Sequence, residues 1–194
     1  MKRLLYAFLL LFFISFSSVA QNKEALKVEV EKMYEASYVL DYDAIINYTH
    51  PKLFDLISKE QMTQVMQNLF ENEAFQIRFV HPKVSFTYGE FQKINGTDYC
   101  VINYNNAMRM TFDKKLSDEE VAEMKKSLLT SKEYEKVTYE KDRNSFFIEG
   151  KSTLIGVLGE ATQNQWKFVN YSASQAQLAK TILGGDDVVE KLGL

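Results

Sequence analysis

The apolar residues change period near Ala74, from the three-and-four spacing of helices to the alternation of strands, and a chain built this way must stack helices on a sheet. Before the change, Leu26, Val30, Met33 and Ser37, flanked by Tyr34 and Tyr38, mark one face of a helix over about Lys23 to Leu40. Pro51 suits the first turn of a short helix through Ile57, where its missing N–H is no loss. Ser58 with Gln61 three residues on forms a capping box, and Met62, Val65, Met66, Leu69 and Phe70 supply an apolar stripe for the helix it opens. After the change, Phe75, Ile77 and Phe79 alternate with Gln76 and Arg78. Val84, Phe86 and Tyr88 then alternate with Ser85 and Thr87, with His81-Pro82 as the break between the two strands.

Asn95-Gly96 predicts a tight turn, because both residues tolerate positive φ, so a strand ending near Phe91 folds back on one starting near Asp98. That next strand, Tyr99 to Phe112, is long and its faces differ. One carries Cys100, Ile102, Tyr104, Asn106, Met108, Met110 and Phe112 and points inward; the other carries Tyr99, Val101, Asn103, Asn105, Ala107, Arg109 and Thr111. Asn106 interrupts the apolar row, which marks either a strand irregularity or a hydrogen-bonding group facing a cavity. Ser117 to Glu120 is a second capping box, opening a helix through about Leu129 with Val121, Met124 and Leu128 on one side. Strands over Lys136 to Lys141 and Ser145 to Leu158 follow, joined at Asp142 to Asn144, with Gly150 and Gly156 where the second bends. A turn at Thr162 to Gln165 leads to a last strand, Trp166 to Tyr171. A closing helix carries Leu178, Ala179, Ile182 and Leu183, stops at Gly184-Gly185, and a short amphipathic tail from Asp186 to Leu192 ends the chain.

Ahead of all this, Lys2 and Arg3 precede an apolar run from Leu4 to Ile14 and then small residues ending in Ser18-Val19-Ala20, the arrangement of a secretory signal peptide. The run falls short of the about 20 apolar residues a spanning helix needs. Residues 1–20 therefore read as a cleaved signal, and 21–194 as a single exported α+β domain, periplasmic or secreted, with no membrane span after cleavage. Cleavage removes two of the 23 basic residues, which already number fewer than the 26 acidic ones. The resulting acidity argues against a nucleic-acid or anionic-membrane partner. Cys100 is the only cysteine and cannot form an internal disulfide; in its strand it reads as a small buried hydrophobe.

N-terminal helices followed by long, bending antiparallel strands predict helices covering one face of a curved, cone-like sheet, with an inserted helix and a C-terminal helix. This order, together with the segment Asp41-Tyr-Asp-Ala-Ile-Ile-Asn-Tyr-Thr-His-Pro51, resembles the nuclear-transport-factor-two-like fold, which also houses ketosteroid isomerase and polyketide cyclases. The resemblance covers about residues 23 to 172 and rests on architecture rather than a motif. It implies that the aromatic segment lies near the mouth of a pocket, and that an enzyme of this kind would place a carboxylate or an Asp/His pair in the cone. The extra helix at Ser117 to Leu129 departs from the usual pattern.

The acid–base candidates are Asp43 and His50, with Asp41 beside them. Their ordinary roles are local: His50 serving the turn before Pro51, and Asp41 and Asp43 capping a helix. No inward strand position carries a carboxylate, and Glu149, sharing a face with Lys151 and Thr153, reads as solvent-facing. Two histidines, one cysteine and no close ligand spacing give no zinc site, and there is no phosphate loop or Gly-x-Ser-x-Gly turn, so no metal and no cofactor is expected. What remains is aromatic abundance. Tyr42, Tyr48, Phe86, Tyr88, Tyr104, Met108 and Trp166, with Asn106 as a polar contact, compose a site for a small apolar or amphipathic ligand in the sheet concavity, unless they simply fill the core. The chain thus reads as an exported binding or interaction domain, for a small ligand, a protein partner or a second copy in a homodimer. The alternative is an isomerase- or cyclase-like enzyme using Asp43 or His50.

Overall fold

In the computed structural model, which describes residues 22–130 and 133–194, the chain opens with helix α1 over residues 22–39. The export signal read from residues 1–20 lies outside the described residues. Helix α2 (Tyr42–Tyr48) follows directly, its first turn closed by the Asp41 carboxylate accepting from the Ala44 N–H at 3.0 Å. Pro51 begins a 3₁₀ turn, Pro51–Asp55, and the Ser58–Gln61 capping box opens α3 (Lys59–Phe70) with both reciprocal hydrogen bonds formed. The α3 stripe is only half covered. Met66 is buried, whereas Val65 and Leu69 are each 54% exposed.

Six strands follow: β1 (Phe75–Phe79), β2 (Phe86–Ile94), β3 (Thr97–Phe112), β4 (Lys136–Glu140), β5 (Ser145–Leu158) and β6 (Lys167–Tyr171). Helix α4 (Asp118–Thr130) stands between β3 and β4, and α5 (Ala176–Leu183) and α6 (Asp186–Lys191) close the chain. The strands form one curved, unclosed antiparallel sheet, so the fold is α+β. Among the described residues no helix is long and apolar enough to cross a membrane.

The two long strands form the centre. β3 and β5 pair in unbroken register from Asp98 opposite Leu158 to Thr111 opposite Ser145. The outer side of β3 is shared by two short strands: β2 occupies Thr97 to Tyr104, and β1 occupies Met108 to Phe112. The Asn95-Gly96 turn joins β2 to β3 with φ of +51° and +86°, the positive values its sequence demands. β5 is shared in the same way, with β6 along Thr153 to Val157 and β4 along Ser145 to Glu149. On β3 the interval is bridged by the Val80 N–H donating to the Ala107 carbonyl at 2.9 Å. On β5, Gly150 to Ser152 fall between the ends of β4 and β6.

Side-chain alternation gives the sheet two faces, and both are covered in part. On the inner face, α1 lays Leu26, Val30 and Met33 on Cys100, Ile102, Leu154, Trp166 and Phe168. Further along that face, α4 brings Val121, Met124 and Leu128 against Phe112, Val137, Phe146 and Ile148. The opposite face is not left to solvent at its β6 end, because α5 and α6 bury Tyr99, Ile155, Val157 and Val169 beneath Ile182, Leu183, Val188 and Val189. Each fully covered aliphatic side chain contributes roughly 1.5–3 kcal/mol, so three such clusters stabilise the domain without a disulfide.

Candidate functional site

The α1 and α4 clusters sit at opposite ends of one sheet face, and the row between them is Asn106 opposite Gly150. Among the described residues neither helix cluster reaches over this row. Instead the chain at Glu133 and Tyr134 crosses it so closely that a Cβ on Gly150 would stand 2.6 Å from the Glu133 carbonyl oxygen and 3.3 Å from the Tyr134 Cα. Glycine is required there by the close approach of backbone to backbone. The result is a cavity of about 660 Å³ along the seam, the largest of three that flank the sheet. Met108, Ile148 and Tyr134 give it an apolar side; Ser152, Asn170 and the loop Ser172–Gln175 give it a polar one.

Asn106 lines this cavity, and its Oδ1 is buried without a hydrogen-bond partner. The β3–β5 register runs through Asn106 without a slip, so of the two meanings its sequence position allows, a strand irregularity is excluded and a polar group at a cavity remains. A buried acceptor left unmatched costs about 1–3 kcal/mol, and the site offers that acceptor to any ligand bringing a donor. At the rim, the Ser174 hydroxyl donates to Glu133 Oε1 at 2.7 Å, Ser172 and Ser174 share a hydrogen bond at 2.9 Å, and Lys151 pairs with Glu135 at 3.0 Å. Burial, reinforced by the nearby Glu133 carboxylate, raises the Tyr134 phenol, which stays protonated. Tyr104, just under the seam, is likewise raised by burial, against the opposing hydrogen bond to Ser152.

The residues expected to line one pocket are distributed over several places. Asn106 and Met108 line the seam cavity. Tyr48 and Trp166 line a second cavity of about 500 Å³ near the start of α1, and Phe86 borders a third of about 490 Å³ beside Tyr34 and Tyr38. Tyr88 and Tyr104 pack in the cluster beneath α1, where Phe86, Tyr104 and Tyr34 meet ring to ring at 5.3–6.0 Å. Tyr42 lines none of the three cavities. The sheet concavity under α1 is therefore occupied by side chains, and the open volume lies beside it.

Asp43 is exposed in the first turn of α2. His50 is 3% exposed and serves its turn: its side-chain Nδ1 accepts from the Lys52 N–H at 3.3 Å, and its backbone N–H donates to the Phe168 carbonyl at 3.0 Å. Burial, with a smaller contribution from Lys52, pushes the imidazole down to about 4, so it is neutral at neutral pH. Neither side chain borders any of the three cavities. Among the described residues no three His, Cys, Asp or Glu side chains gather to hold a metal ion. Cys100 is fully buried, with its thiol pushed up to about 11 by desolvation, an inert core group.

Sequence reasoning missed Glu133, Tyr134 and the Ser172–Gln175 loop as cavity walls. These are connections without periodicity, and the signal for them was Gly150, since a glycine inside a strand marks a close backbone approach as readily as a bend. No protein-family model matches the chain, and no curated protein matches it.

Proposed function

We propose that the chain is an exported binding domain of the nuclear-transport-factor-two-like kind that holds a small amphipathic ligand in the seam between α1 and α4. The observation that carries this reading is the Asn106 Oδ1, an acceptor buried without a partner at the largest of the three cavities described. A ligand that fits presents a hydroxyl or N–H to Asn106 and lays an apolar body along Met108, Ile148 and Tyr134. The polar wall from Ser152 to Gln175 accommodates a hydrated end. Asparagine does not titrate, so the site is suited to holding a ligand rather than to moving a proton. An isomerase- or cyclase-like enzyme built on Asp43 or His50 draws no support from the placement of either side chain. Export rests on residues 1–20 and is tested by the N-terminal sequence of the protein recovered outside the cytoplasm, expected to begin at Gln21.

Calorimetric titration with n-decanol and with n-decyl methyl ether tests the ligand reading. The alcohol is expected to bind about tenfold more tightly, the ~1.4 kcal/mol of one buried hydrogen bond, and Asn106→Leu to erase the difference. Equal binding of alcohol and ether by the wild-type protein sinks it.

A further inference from the structure

We infer that the cavity at the start of α1 is a second binding site, separate from the seam, built for a neutral N-acetylated sugar. Its central feature is Trp166, the only tryptophan of the chain. Trp166 is 5% exposed, and its Nε1–H is buried without a hydrogen-bond partner. The ring orientation follows from Gly156: a Cβ added there would lie 3.5 Å from both Cε3 and Cζ3 of the indole, so that long edge rests on β5. Phe91 packs edge-to-face against the same ring at 6.1 Å and 88°. Nε1 is on the opposite long edge of the ring, away from Gly156, and Trp166 lines the 500 Å³ cavity. A buried N–H with no acceptor is destabilising, a cost that a ligand carbonyl placed there recovers.

The rest of the wall selects the ligand. Its two charged groups are already engaged: Glu29 is paired with Lys32 at 2.9 Å, and Lys167 Nζ donates to the Asn47 carbonyl at 2.5 Å. The remaining polar lining is carboxamide, from Asn47, Asn164 and Gln165 among others, with the Tyr48 hydroxyl beside it, groups that both donate and accept and therefore match hydroxyls. Ala25 and Leu158 add a small apolar patch. An acetamido sugar satisfies all three: carbonyl to the indole N–H, methyl to Ala25 and Leu158, ring hydroxyls to the amides. A peptide offers the carbonyl but not the array of hydroxyls. Nε1 is screened from solvent, so the carbonyl reaches it as the exposed wall of the cavity gives way, while Gln165 stays as a contact to the sugar hydroxyls.

The single indole gives an unambiguous reporter. In proton–nitrogen correlation spectra of the intact domain, titration with N-acetylglucosamine and with diacetylchitobiose is expected to shift the one indole N–H resonance saturably downfield. Glucose is expected to leave it unmoved. Gln165→Ala, an exposed position, is expected to weaken the response at least fivefold, with the Asn106 side-chain resonances unchanged in every titration. An indole resonance that does not move with either acetamido sugar overturns the inference. So does an equal shift with N-acetyl-trialanine amide, which would make the site one for peptide carbonyls.

Discussion

Beneath α1 the inner face is filled by Cys100, Ile102, Leu154 and Phe168, whereas four residues further along the same paired strands Asn106 and Gly150 border a cavity. Apart from Phe168 on β6, both rows belong to the same two strands and point the same way. They differ in what lies above them: a helix with Leu26, Val30 and Met33 in one case, a crossing connection at Glu133 and Tyr134 in the other. A helix presents side chains that interdigitate with the sheet, but a backbone crossing at van der Waals distance presents mostly main chain and holds its neighbours apart. The lesson is that strand alternation decides which face looks inward, while the reach of the covering helices decides whether the space there is core or cavity. Aromatic residues follow the first rule, which is why Phe86 and Tyr104 on the sheet meet Tyr34 of α1 ring to ring.

The comparison breaks most visibly under truncation. Leu154→Ala, at a side chain 1% exposed beneath α1, is expected to lower stability by about 2–5 kcal/mol, whereas Met108→Ala in the seam is expected to lose under ~1.5 kcal/mol because the cavity already lies beside it. Urea unfolding midpoints measure both, and equal losses would mean the seam is packed like the core. Acid provides the next largest contrast. The filled end has a buried titratable group, His50, tied to Phe168 in the α1 cluster. Below pH 6.5 the unfolded chain takes up a proton that the folded chain refuses until about pH 4, so the stability His50 contributes is present above 6.5 and lost as pH falls through that window. The loss reaches up to ~3 kcal/mol. His50→Asn keeps an acceptor for the Lys52 N–H without titrating, and its unfolding free energy is expected to vary less between pH 6.5 and 4; an unchanged pH profile removes His50 as the cause.

Much of this architecture was legible in the sequence because its signals are local. The Ser58 and Ser117 capping boxes open α3 and α4, Asn95-Gly96 turns the hairpin, and the alternation from Ser145 to Leu158 becomes β5 with the same ends. Helix α2 was not legible: it is short, buries only Ile46, and owes its start to the Asp41 cap. The α3 stripe shows a different limit. Val65 and Leu69 have helical spacing, yet spacing carries no information about whether a partner covers the face, and here they stay exposed. Likewise Tyr99 and Ala107, on the face of β3 opposite the apolar row, are buried. Of the candidate site, Asn106 was legible as a polar exception in an apolar row, whereas Gly150 read only as a bend in its strand and not as the place where another stretch of backbone crosses. The walls of the site were not legible, because Glu133 and Ser174 are 41 residues apart and meet only through the folded chain.

Two substitutions at the seam sharpen the contrast with smaller effects. Gly150→Ala forces its methyl against the Glu133 carbonyl, a backbone atom that cannot rotate aside, and is expected to cost about 1–3 kcal/mol while moving the 133–134 crossing outward. Amide shifts confined to Glu133, Tyr134 and the facing strand would locate that movement. Asn106→Leu is expected to have the smallest effect on folding and the opposite sign. Replacing a paired core amide with leucine leaves its former partner unsatisfied, but Asn106 Oδ1 has no partner to strand, so the change removes a desolvation cost and adds apolar area. Stability should stay level or rise by up to ~1 kcal/mol in urea unfolding, even as the preference for a hydroxyl-bearing ligand disappears. A loss of more than ~1 kcal/mol would show that Asn106 supports the sheet, and the seam would then be a packing defect rather than a place kept open for binding.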